Sequence, residues 1–156
     1  MTTQLRAFHG QQAIKDKYLD RVRSHRAADQ LVQGMTWNEN QQKGCAIGCT
    51  LHGYNHAAYE DELGIPRILA RLEDGIFEGL SVANSREWPE RFLAAIQPGA
   101  DLSMVWPQFA HWLLLDLDHG VLRHAKSDAT KNAILRVGAL YASWIAGKKP
   151  PRAEWV

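Results

Sequence analysis

PRILARLEDGIFEGL, residues 66–80, repeats its apolar side chains with a helical period. Leu69, Leu72 and Ile76 fall on one stripe, and Ile68 and Phe77 widen it. Pro66 suits the opening of a helix, where its missing N–H is one the helix leaves unpaired anyway. Just upstream, Gly64 is a stop for a short helix running through Tyr59 to Leu63. Asn55 is the candidate cap of that helix, and Glu60, Asp61 and Glu62 lie near its start, where acids favour the dipole.

The same period recurs outward in both directions. From Gln11 to about Val32, Ile14, Tyr18, Val22 and Leu31 mark one face of an amphipathic helix. Downstream, the turn SVANS leads to a helix beginning near Trp88-Pro89, with Phe92, Leu93 and Ile96 inward. QPGAD breaks it, Asp101 caps the next, and FAHWLLLDLDHG reads as a broad apolar helix ending at Gly120, central to the fold. Ser127 or Asp128 caps a last helix through Ile134, Val137, Tyr141, Trp144 and Ile145, stopped by Gly147. Strand alternation is nearly absent. QGMTWNENQQKG, Gln33 to Gly44, has no period and is a long loop of the kind that covers something. The tail 148–156 reads as extended and loose. The expectation is an all-α chain: one domain over residues 1–156, built as an irregular antiparallel bundle of five to six helices.

Composition agrees with a folded domain, at 46% hydrophobic and 22% charged residues in 156. No stretch approaches the roughly 18 apolar residues of a membrane span, and the first residues carry no apolar core of a secretory signal. Two cysteines four apart are too few and too close for a disulfide framework. A cytoplasmic protein with reduced thiols is expected. The net charge of +1 is uneven: seven basic and four acidic residues in 1–43, four and eleven in 44–119, seven and two in 120–156. A nucleic-acid footprint goes with a basic domain, which a pI of about 7.9 is not. On the first helix Lys15, Lys17, Arg21, Arg23 and Arg26 are interleaved with Asp16 and Asp20, as on a solvated face.

One segment concentrates reactive side chains: Cys45, Cys49, His52 and His56, spaced four, three and four. On a continuous helix they share a face, but the outermost pair is then roughly 16 Å apart and cannot hold one ion. The neighbouring pair His52 and His56 can hold a Zn, Fe, Ni or Mn ion if carboxylates complete the shell, and Glu60, one turn on, and Glu73 or Asp74 on the next helix are the available donors. The second chemistry is thiol redox. There Cys45 at a helix start is the activated thiolate, Cys49 the resolving thiol and His52 the proton carrier. The run resembles the redox motif of the all-helical alkylhydroperoxidase D-like proteins, whose two cysteines lie three apart with a His four further on. Here the spacings are four and three. The bland alternative makes the cysteines buried hydrophobes and the glycines close-packing points.

Asp116 and His119, one turn apart, suit a helix-end cap better than a ligand pair. No G-x-S-x-G elbow or P-loop is present. Trp106, Trp112 and Trp144 read as core, while Trp37 and Trp155 sit in loop and tail. The functional expectation is metal binding or thiol chemistry around residues 45–60. The competing class is a non-catalytic module that binds a partner or forms a homo-oligomer through its charge asymmetry and peripheral tryptophans.

Overall fold

The computed structural model describes residues 5–155 and is helical over 64% of its length, with seven α-helices and almost no strand. The all-α class read from the sequence therefore holds. The contacts divide the chain into two compact units, Met1–Leu102 and Ser103–Val156.

In the first unit, a 3-10 turn at Ala7–Gly10 leads into α1 (Gln12–Ala27). Tyr18, Leu19, Val22 and His25 are buried along α1 at the expected three-to-four spacing. Lys15 is buried among them, and its ammonium donates to the Ala94 and Ile96 carbonyls at 2.8 and 2.7 Å. It thus satisfies orphan acceptors at the end of another helix, where a cation also favours the dipole. α1 ends at Ala27 rather than near Val32, because Asp29 turns left-handed (φ 55°) and the Gln30 N–H folds back to the His25 carbonyl. Leu31 is buried all the same, beyond the helix.

The Gln33–Gly44 loop contains a minimal antiparallel hairpin, β1 (Trp37–Asn38) with β2 (Lys43–Gly44), pairing Trp37 with Gly44. It lies tightly on α2 (Ala46–Leu51). A Cβ on Gly44 or on Gly48 would sit 2.2 Å from the Thr36 carbonyl oxygen, so both positions require glycine. The segment that propensity leaves doubtful is helical because its glycines admit the loop backbone.

α3 (Ala58–Leu63) ends at left-handed Gly64, and Asn55 caps its approach by accepting from the Ala57 N–H. α4 (Arg67–Gly79) follows Pro66 as expected, but its buried face is Leu69, Ala70, Glu73, Asp74 and Phe77. Leu72 and Ile76 are only half-buried, so two acids point inward where the apolar stripe alone places leucine and isoleucine. α5 (Val82–Ala95) starts six residues before Trp88. Ser81 caps it by accepting from Asn84 N–H, and Pro89 sits inside the helix. Arg23 and Arg26 of α1 pair with Glu90 of α5, and Arg26 also with Glu87.

The second unit is a helical hairpin of α6 (Val105–Leu115) and α7 (Asp128–Ile145), joined through a 3-10 turn at Val121–His124. Gly138 of α7 lets Leu115 approach, a Cβ there meeting the leucine methyl at 2.6 Å. α6 stops five residues short of Gly120 because the Asp116 carboxylate accepts from the Asp118 and His119 N–H groups. That is the cap reading of this pair. Ser127 caps α7 by accepting from the Thr130 N–H. The tail folds back rather than trailing: Arg152–Trp155 form a 3-10 turn, and Trp155 meets Tyr141 edge-on at 4.8 Å. No described helix is long and apolar enough to cross a membrane.

Candidate metal centre

Cys45 precedes α2 as its N-cap residue, and its N–H is fixed by the Met35 and Thr36 carbonyls at 2.7 and 3.0 Å. Its side chain reaches α4. There the Cys45 sulfur and carboxylate oxygens of Asp74 and Glu78 lie within 4.8 Å of one another. Asp74 and Glu78 stand one turn apart on α4, the spacing that puts two side chains on one face.

Asp74 is the centre of this group. Its residue is nine-tenths buried, and Oδ2 is held by His56 Nε2 and by the Tyr54 hydroxyl, each at 3.1 Å. Oδ1 is buried and has no hydrogen-bond partner. A buried oxygen left unpaired costs on the order of 1–3 kcal/mol, more when it carries charge. Glu78 is exposed and accepts from the Gly34 N–H at 2.8 Å, so the loop also anchors the rim of the site. Tyr54 and His56 meet edge-to-face at 5.0 Å, which orients the imidazole on Asp74.

The thiols carry a clear electrostatic signature. Burial first, then the Asp74 charge, pushes the Cys45 thiol up to about 12. The backbone N–H groups of Ile47 and Gly48 pull the other way, as expected at a helix start, and lose. Burial likewise pushes Cys49 up to about 12, and its S–H donates to the Gly44 and Gln30 carbonyls. Both cysteines are free. Without a cation the two thiols are neutral at physiological pH, a poor starting point for the thiolate that redox exchange needs.

The remaining sequence candidates go to three separate places. His52 ends α2 in left-handed conformation (φ 55°) and stacks on Trp37 at 4.8 Å. Its Nε2 is 2.8 Å from His25 Nε2, and His25 Nδ1 is 2.6 Å from Gln30 Oε1. An amide oxygen only accepts, so His25 carries its proton on Nδ1 and accepts at Nε2 from His52. Burial, then the Arg21 and His25 charges, lowers His52 below its ordinary value. His52 and His56 are therefore partnered apart. Glu60 accepts from the Arg67 N–H and pairs with its guanidinium, capping α4. Glu73 is fully buried and accepts from the Tyr59 hydroxyl at 2.6 Å, while its Oε1 has no partner. Burial, opposed by Tyr59 and aided by Asp74, raises it to about 8.

Of the sequence-derived set, Cys45, His56 and Asp74 thus reach one site. Glu78 joins them through its i, i+4 spacing from Asp74 on α4, and that spacing was the readable signal. No family model, no curated protein and no solved structure matches this chain.

Proposed function

We propose that the first unit is a metal-binding module. It holds one divalent ion, zinc in the first instance, between the Cys45 thiolate and the carboxylates of Asp74 and Glu78. The observation that carries this reading is the unpartnered, buried Asp74 Oδ1 within a cluster whose donor atoms already converge to within 4.8 Å. A cation there satisfies the orphan oxygen, and sulfur with two carboxylates is a donor set that suits zinc and its transition-metal neighbours. In a tetrahedral zinc site with ~2.0–2.3 Å bonds, ligand atoms lie roughly 3.5 Å apart. The exposed Glu78 side chain has room to close that gap.

His56 and Tyr54 hold Asp74 from behind. This is the outer support that fixes a ligand's orientation and adds to metal affinity. The Cys45 thiol must lose its proton on binding, which a coordinated ion brings about directly. Three protein donors leave a coordination position for water or a small ligand, the arrangement of catalytic rather than closed structural zinc sites.

Calorimetric titration of the chelator-stripped protein with Zn²⁺ tests the proposal. Binding of about one ion with release of about one proton, abolished in Asp74→Asn and strongly weakened in Cys45→Ser, is expected. Equal binding by wild type and Asp74→Asn would contradict it.

A further inference from the structure

We infer that the chain self-associates through α6, two copies packing their uncharged α6 faces about a two-fold axis. This surface is independent of the metal reading. α6 contains no Asp, Glu, Lys or Arg, and its mixture of Trp, Phe, Leu and Val is the composition of an interface centre rather than of a solvated helix. Val105, Phe109, Trp112 and Leu113 recur at four, three and one, which places them on one side of the helix. Three of them stay open: Val105 is 39% exposed, Trp112 43% and Leu113 38%. Leu117, in the turn that follows, is 89% exposed. The second unit has little core of its own, since Ala110, Pro107 and Pro150 are its buried apolar side chains among the described residues.

The area is enough for a pair. At roughly 150–250 Å² for a large side chain, these five leave roughly 400 Å² of apolar surface in solvent. A standard interface buries ~800 Å² per partner, a little over half of it apolar, so the stripe nearly supplies the apolar share. A second copy is the occupant that the charge pattern favours. A two-fold axis brings each patch onto itself, and the helical part of this one, Val105 to Leu113, sets no acidic or basic side chain against its own copy, Asp116 and Asp118 lying beyond its end next to Leu117. Two such hairpins form a four-helix arrangement, the packing that buries both faces of a helical pair.

Sedimentation equilibrium of the full chain, wild type against Trp112→Glu, tests the inference, with circular dichroism confirming the fold of each. The expected result is a wild-type dimer and a helical variant whose dissociation constant is weakened by more than roughly 30-fold, the loss of one central anchor. A second variant covers the case in which Trp112→Glu unfolds. Leu113→Cys, beside the axis, should form a disulfide between the two copies under mild oxidation. Cys45 and Cys49 are buried and neutral and should not compete. A wild type that stays monomeric at about 100 μM, a dimer indifferent to Trp112→Glu, or Leu113→Cys that stays reduced would overturn it.

Discussion

Raising the pH from about 5 to about 8.5 should destabilise this protein chiefly through one carboxyl group, and replacing it should remove the effect. Glu73 is fully buried, and burial raises it from an ordinary 4.5 to about 8. Between those values the native state holds a proton that the unfolded state has lost. Unfolding then releases a proton, and stability falls with rising pH by about 1.4 kcal/mol per unit. The contribution is fully present below the unfolded value and gone above the folded one, so the whole window amounts to roughly 5 kcal/mol. Glu73→Gln keeps the acceptor for the Tyr59 hydroxyl, at 2.6 Å in the wild type, and has nothing to titrate. Urea denaturation of both proteins across this range isolates the group, since every other titrating side chain is common to the pair. The difference in unfolding free energy should move in favour of the glutamine by ~3–5 kcal/mol from the acid to the alkaline end. A difference constant within about 0.5 kcal/mol would refute the reasoning.

Three further outcomes follow from the same contacts. Gly48→Ala drives a methyl to 2.2 Å from the Thr36 carbonyl and should cost at least ~2 kcal/mol in denaturant unfolding. A cost below about 0.5 kcal/mol would mean the loop is not packed on α2. Lys15→Met should cost ~2–3 kcal/mol, because the Ala94 and Ile96 carbonyls lose charged donors at 2.8 and 2.7 Å. The expected fraying of the α5 end is read by hydrogen exchange there. His52 is lowered by burial and by the Arg21 and His25 charges, so its neutral form stabilises the native state above the ordinary histidine range, and that stability is lost as pH falls below it. His52→Asn, which tolerates the left-handed backbone, should flatten the acid limb. An unchanged limb would show that His52 does not titrate with unfolding.

The fold class was legible because period and punctuation agreed. Pro66, Gly64, Ser127 and Gly147 stand where helices begin or end, and the stripe in residues 66–80 could be nothing but helical. Boundaries went astray wherever a side chain or a backbone kink outranked the period. Left-handed Asp29 ends α1 early, the Asp116 carboxylate ends α6 early, and Ser81 starts α5 ahead of Pro89. The candidate site was half legible. Cys45 and His56 stood out as reactive residues close in sequence, but spacing along a continuous helix could not foresee that α2 ends at left-handed His52. That break sends His52 to His25 and Trp37 and His56 to Asp74. Asp74 was already among the donors the sequence offered, and its burial is what sets it apart from an ordinary solvated helix acid, whereas exposed Glu78 carried no signal beyond its i, i+4 spacing from Asp74. In Trp112 the sequence pointed to core, and the side chain instead lies open on α6.

The metal centre is tested most directly by elemental analysis of protein purified without chelator or metal-affinity resin, for wild type, Asp74→Asn and Glu60→Gln. Glu60 caps α4 and takes no part in the proposed donor set. The account predicts about one equivalent of a divalent transition metal in wild type and Glu60→Gln and none in Asp74→Asn, all three equally helical. Metal-free wild-type protein that also takes up none from zinc-supplemented buffer, or full retention of metal by Asp74→Asn, would contradict it.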